Sequence, residues 1–179
     1  WIWFCPKSGY VSFGDDFDEL SDDEKKRLSA WLKENYDPSK KPEAHEDKLA
    51  WAEKVYRQRQ KDDRFWSRFY RLMAYIYREN QQKSLEYVQK ALPLLQTALD
   101  ANPKDIKRIE VLYLLGEYNR RIGQEEKGRE YFAQMKTATY KDEDGKEEVG
   151  HPYFLDLVQD RENLMKKESP NKAGAGDRK

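Results

Sequence analysis

Apolar side chains recur every three or four positions through most of this chain, and polar or proline-containing runs interrupt them, the pattern of successive amphipathic helices. Leu28, Trp31, Leu32 and Tyr36 form the first stripe, and the capping box Ser21-Asp22-Asp23-Glu24 ahead of it predicts a helix over 22–35. Asp37-Pro38-Ser39-Lys40-Lys41-Pro42 breaks that helix. A second, over 43–60 with Pro42 in its first turn, turns Leu49, Ala52, Val55 and Tyr56 inward. Asp62 or Asp63 caps a third over 64–79, whose inner face is Phe65, Phe69, Leu72, Met73, Ile76 and Tyr77. A fourth over 82–99 aligns Leu85, Val88, Leu92, Leu95 and Leu99. Pro93 lies inside it and removes a backbone donor, so the helix is expected to kink or split there.

After the turn at Asn102-Pro103, the stretch from Val111 to Phe132 predicts a fifth and a sixth helix joined at a glycine. Leu112, Leu115 and Asn119 share one face, Gly116 lets a neighbouring backbone come close, and Gly123 ends the first helix. Gly128 and Phe132, four apart, share a face on the second. This spacing resembles a tetratricopeptide repeat. Tyr70, Met73, Ala74 and Tyr77 occupy the same positions upstream, with Ser84 to Leu92 as the second helix of that unit. The two frames, at Ala74 and Gly116, are 42 residues apart where the repeat has about 34, which implies longer helices or an insertion around Pro93. One such unit cannot bury its own apolar face and needs stacked neighbours.

Residues 138–150 lack periodicity and are expected to be a polar loop. A seventh helix over 152–167, striped by Phe154, Leu157, Val158, Arg161 and Leu164, is expected to cap the stack. Residues 1–17 are aromatic and loosely alternating, predicting extended strand or loop with a tight turn near Gly9. The expected fold is therefore all-α, an antiparallel stack of about seven helices in tetratricopeptide-like hairpins with a short aromatic extended N-terminal segment. Its divisions are an extended segment over 1–20, a helical repeat domain over 21–167 and a disordered tail over 168–179.

Composition narrows the possible partners. A polypeptide of 179 residues is one domain's worth and can bury about 70% of its unfolded surface. Lys+Arg and Asp+Glu both total 34, so no global field favours nucleic acid or an anionic membrane. A basic run with interleaved aromatics, Arg57, Arg59, Lys61, Arg64, Arg68 and Arg71, is the only nucleic-acid signal, and the zero net charge places it second. Cys5 is the single cysteine, so no intramolecular disulfide forms and a cytoplasmic location is expected. No apolar run reaches the roughly 18 residues of a membrane span. The sequence opens at Trp1 without a Met and is expected to be a trimmed or processed piece.

The candidate chemistry is sparse. Cys5 has no nearby His in sequence and is expected to be a buried, inert thiol. His45 stands beside Glu46 and Asp47 on a solvated face, and His151 precedes Pro152 at a helix cap. The carboxylates Asp15, Asp16, Asp18, Glu19, Asp22, Asp23 and Glu24 read as solvated helix-start charge, and their spacing is not that of a calcium loop. With no phosphate-cradling glycine loop, zincin pair or serine elbow, no enzyme and no cofactor or metal is expected. In tetratricopeptide repeats the free face of each first helix lines a concave groove for extended peptides. The matching positions here are Arg68, Arg71, Tyr75, Arg78, Tyr113, Glu117, Arg120 and Arg121. Guanidinium forks and tyrosine rings there would suit an acidic peptide or the C-terminus of another polypeptide, unless the arginines simply pair with glutamates one turn away. The expected function is a non-enzymatic interaction scaffold binding a peptide or partner protein. The alternative is a structural subunit of a larger assembly, docking through Trp1, Trp3 and Phe4.

Trp3-Phe4-Cys5-Pro6-Lys7-Ser8-Gly9-Tyr10, then Phe17-Asp18-Glu19-Leu20-Ser21, and far downstream Leu112 to Gly123, make the sequence similar to the bacterial domain of unknown function 2225 over most of residues 3–135. The resemblance implies a bacterial, soluble protein with a helical repeat body and no established activity. It also implies a Cys-Pro-x-Cys-Gly-Tyr knuckle that pairs with an upstream Cys-x-x-Cys around a structural zinc. Here Cys5 keeps the first position, Ser8 replaces the second cysteine, and no upstream pair is present. Structural zinc takes four thiolate or imidazole ligands, which Cys5 with the distant His45 and His151 cannot supply, so the turn is expected to persist as a packed remnant.

Overall fold

The computed structural model describes residues 2–16 and 20–173. The protein divides into two compact units, Trp1–Asp62 and Asp63–Lys179. The first therefore runs through two helices beyond the segment 1–20 that the sequence set apart. Trp1, Phe17, Asp18 and Glu19 lie outside the described residues, as do 174–179 of the expected tail.

In the first unit, β1 (Ile2–Phe4) and β2 (Val11–Phe13) pair antiparallel, with Ile2 opposite Phe13. Gly9, at φ 74°, closes the turn between them. Helix α1 (Asp22–Asn35) begins where the Ser21 hydroxyl accepts the Glu24 amide, and it buries Leu28 and Leu32 as the stripe predicts. Helix α2 (His45–Tyr56) is shorter than the 43–60 expected, and Leu49, Ala52, Val55 and Tyr56 are its core.

A buried polar cluster ties this unit together. The fully buried Tyr56 phenol accepts the Phe13 amide at 2.8 Å, donates to Asp16 at 3.0 Å and lies 3.0 Å from the Ser12 hydroxyl. Lys61 closes on the other Asp16 oxygen at 2.9 Å, and the buried Arg59 donates to Glu24 at 2.9 Å and to Ser12 at 3.3 Å. Burial raises the Asp16 carboxyl, but the Lys61 and Tyr56 hydrogen bonds and the nearby positive charges outweigh it and hold it below the usual range.

The second unit is two helix hairpins and a covering helix. Helices α3 (Asp63–Ile76) and α4 (Gln81–Asp100) form the first hairpin, and α5 (Asp105–Arg121) and α6 (Glu125–Thr137) the second. Helix α7 (Pro152–Ala173) packs on α5 and α6, extending past the expected end at 167. Ser84 joins three helices. Its buried hydroxyl donates to the Ala74 carbonyl on α3 and accepts Arg121 of α5 at 2.7 Å, and Tyr131 of α6 donates to Gln96 of α4 at 2.6 Å.

The α5–α6 contact is the tightest. A Cβ added at Gly116 would lie 2.4 Å from the Phe132 ring, and one at Gly128 would lie 2.9 Å from the Gly116 carbonyl oxygen. At Gly128 the two helix backbones therefore come into contact, and at Gly116 the Phe132 ring fills the place of a side chain.

Several expectations need correction. Residues 138–150 are no loop: β3 (Thr139–Lys141) pairs antiparallel with β4 (Glu147–Val149). The turn between them is shaped by the Asp142 carboxylate, which accepts the Asp144 and Lys146 amides, and by Gly145 at φ 79°. Helix α4 is not split, since it is continuous across the exposed Pro93. Its inner face is Ser84, Tyr87, Val88, Ala91 and Leu95, leaving Leu85, Leu92 and Leu99 only half-buried. Leu72 and Leu164 likewise turn outward, while Ser67, Tyr70 and Ala74 of α3 and Met165 of α7 turn inward. The class is mostly α, with seven helices and two small hairpins among the described residues.

Gly116→Ala should destabilise the protein by about 1–3 kcal/mol in urea unfolding, despite the gain of about 1 kcal/mol in helix propensity. Combined with Phe132→Leu, the cost should fall below the sum of the two single substitutions. Alkaline pH tests the Tyr56 cluster. Burial, partly countered by the Ser12 and Phe13 hydrogen bonds, pushes this phenol up to about 12 from 10.0. The folded phenol keeps its proton where the unfolded one loses it. Its contribution is thus intact below pH 10 and declines by up to about 2–3 kcal/mol as pH rises to about 12. Urea midpoints measured across that window should fall less steeply for Tyr56→Phe than for the parent.

Candidate functional site

The eight residues proposed from the sequence do not form one surface. Four lie on α3 or just beyond its end. Arg68 is exposed and has no ion pair among the described residues. Arg71 reaches Glu110 of α5 at 2.8 Å, with both side chains a third or more exposed (34% and 44%). Tyr75 is 64% exposed, and the Arg78 guanidinium stands 4.7 Å from its ring centroid while pairing with Glu79 at 3.5 Å. These side chains lie along the turns that α3 does not bury against α4.

Three more lie on α5 and are drawn inside. Glu117 and Arg120, one turn apart, form a two-pronged pair at 2.8 and 3.1 Å, each side chain only 14% exposed. Arg161 of α7 brings a second guanidinium to within 3.4 Å of Glu117. Tyr113 packs between Phe132 and Phe154, with centroids at 6.2 and 5.6 Å. Burial raises its phenol, and the Arg161 charge works against that rise. Arg121, the eighth residue, turns to the other side, where it donates to Ser84 and stands 5.8 Å from the Tyr118 ring. Tyr113 and Glu117 are therefore packing groups in contact with α7, Arg120 pairs within its own helix, and the α3 residues are the part of the proposed surface most open to solvent.

Sequence reasoning missed Arg161 and Glu110 as partners of these groups. Arg161 had a visible signal, a charge set in the otherwise apolar stripe of Phe154, Leu157, Val158 and Leu164. Glu110 had none, since its match with Arg71 depends on the alignment of two helices distant in sequence.

The basic run is largely neutralised. Arg57 pairs with Glu53 at 2.9 Å, and Arg59 and Lys61 belong to the buried cluster with Glu24 and Asp16. His45 is exposed at the start of α2. His151 stands at the start of α7, where its carbonyl accepts the Phe154 and Leu155 amides at 3.0 Å and its ring lies against Tyr140 at 4.8 Å.

The knuckle is held from outside. The Tyr36 phenol donates to the Pro6 carbonyl at 2.7 Å, the Trp51 indole donates to the Gly9 carbonyl at 2.6 Å, and the Tyr36 ring lies so close under Gly9 that a Cβ there would be 2.3 Å away. Cys5 is half-buried rather than buried. The Ser8 hydroxyl, followed by the Ser8 and Lys7 amides, lowers its thiol below the ordinary value. These residues do not fit a structural zinc. Ser8 places a hydroxyl where a second thiolate is needed, and no three His, Cys, Asp or Glu groups cluster around Cys5 or elsewhere among the described residues. Of the aromatic docking segment, Trp3 is 60% exposed and Phe4 packs edge-on against Tyr36 at 6.1 Å.

Replacing Glu117 by Ala should cost roughly 1–3 kcal/mol in urea unfolding, because it takes a carboxylate from the enclosed Arg120 guanidinium and from the partly exposed Arg161. Arg71→Ala, which opens a solvent-exposed pair, should cost less than about 1 kcal/mol.

Among the described residues no helix is long and apolar enough to cross a membrane. No curated protein matches the sequence, and no solved structure matches the fold. Residues 1–163 match the family described as "Uncharacterized protein conserved in bacteria (DUF2225)", and the protein belongs to that family.

Proposed function

We propose that this member of the bacterial family is a non-enzymatic interaction module, whose second unit is a pair of tetratricopeptide-like hairpins that presents α3 to a partner protein. The observation that carries the reading is the open face of α3, where Arg68, Leu72 and Tyr75 lie exposed on an otherwise well-packed helix. Two features support the repeat relationship. Leu112, Leu115, Gly116 and Asn119 are all buried on α5, and Tyr70, Met73, Ala74 and Tyr77 are buried at the equivalent positions of the first hairpin. Each hairpin also has a small residue, Ala74 or Gly116, where its second helix comes close.

The α5 half of a two-helix groove is covered by α7, so the partner surface is a single helix face. A lone cysteine stays reduced in the cytoplasm, which favours that compartment. The paired state of Arg57, Arg59 and Lys61 favours a protein partner over nucleic acid. The exposed Trp3 ring favours a second reading, a subunit that docks through its N-terminal hairpin.

Crosslinking in bacterial cells followed by affinity purification tests both. The Arg68→Glu, Tyr75→Ala double variant should fold as the parent does by circular dichroism and lose the parent's crosslinked partner. Trp3→Ala should retain it. The reverse pattern would favour the hairpin, and retention by both variants would refute both readings.

A further inference from the structure

Helix α3 and the turn after it carry a continuous outer ridge at helical spacing: Arg64, Arg68, Leu72, Tyr75 and Arg78 succeed one another by four, four, three and three residues. All five are exposed, and the helical part from Arg64 to Tyr75 runs about 16 Å at 1.5 Å per residue. Beside it, Arg71 joins α3 to Glu110 of α5, and the exposed Ile106 lies one turn before Glu110. The middle of this face is therefore apolar, with arginines at both ends, Arg78 paired with Glu79 and Arg64 and Arg68 at the other end.

The charges on the face are unbalanced. Glu110 is matched by Arg71 and Glu79 by Arg78, whereas Arg64 and Arg68 have no carboxylate partner among the described residues. Asp63, the other carboxylate on α3, precedes Arg64 and lies off the ridge. The cationic excess faces solvent in a protein whose formal net charge is zero, so it belongs to this face and not to the molecule as a whole.

Resting on the interaction reading above, we infer that the α3 ridge binds an acidic amphipathic segment of a partner protein. The segment sets one or two apolar side chains on Leu72 and Tyr75 and its carboxylates on Arg64 and Arg68. Guanidinium forks take carboxylates in two-pronged pairs, and a tyrosine ring gives contact area at low entropic cost. A nucleic acid would set phosphates on the arginines and could stack a base on Tyr75 but would leave the aliphatic Leu72 without an apolar partner, which favours a peptide over a nucleic acid.

Selection of a displayed random 16-residue peptide library on the full protein, followed by fluorescence anisotropy with the enriched peptides, tests the assignment. The enriched peptides should carry acidic residues and apolar residues one helical turn apart. Arg68→Glu and Tyr75→Ala should each weaken them roughly tenfold or more, with unchanged circular dichroism. A peptide with Lys in place of its critical acid should recover binding to Arg68→Glu. The assignment is overturned if nothing is enriched, if the peptides lack acidic residues, or if Arg68→Glu leaves affinity unchanged. It is also overturned if a 20-nucleotide oligothymidine displaces the peptides, or if light scattering shows that the ridge pairs two copies of this protein. Failure here with a crosslinked partner still lost from the double variant would end the acidic-segment assignment and leave the interaction module standing. Failure of both experiments would end both.

Discussion

The second unit depends on how closely α5 and α6 approach. At Gly128 the α6 backbone lies against the Gly116 carbonyl with no room for a side chain, and at Gly116 the Phe132 ring takes the space that a Cβ would need. Helix α5 has α6 on one side, α4 on another and α7 with the β3 strand on a third, so few of its positions remain open. A helix enclosed in this way does not need a clean polar stripe. Its charged groups are accommodated by pairing, as Glu117 is by Arg120 and Arg161.

The same enclosure determines what the molecule can offer to others. On α5, tyrosine and arginine hold neighbouring helices; on α3, at the end of the hairpin series, the same residue types meet solvent. Residue identity is similar in the two places, and the difference lies in how many neighbours each helix has. Helix α3 packs chiefly against α4 and keeps one long side uncovered. The binding role proposed above accordingly attaches to the terminal helix of the series and not to the central one.

Helix positions were legible because their ends are chemically marked. Ser21 accepts an amide at the start of α1, and Gly123 takes φ 82° after α5. The small-residue contact was legible for a similar reason, since Gly116, Gly128 and Phe132 have few other uses at that spacing. Helix α4 was misread because its core is partly small or polar: Ser84 and Ala91 go inside, and large leucines take the flanks. The β3–β4 hairpin was missed because strands of three residues give no period to detect. The candidate site was half legible. That one helix face was open could be argued from spacing, but the packing of both α6 and α7 on α5 decides that Tyr113, Glu117 and Arg120 are enclosed, and nothing near those residues in sequence announces the arrival of α7.

The phenol of Tyr56 joins segments that are far apart along the sequence: its partners Ser12 and Phe13 lie 44 and 43 residues away. A contact of that separation yields no enthalpy until a long loop has closed, so the N-terminal strands gain their anchor only after α1 and α2 have been brought into place. The hairpins of the second unit are different, because each joins neighbours across a short turn. The two halves of one polypeptide thus carry different kinetic characters, a locally wound half that can assemble early and a laced half that closes late.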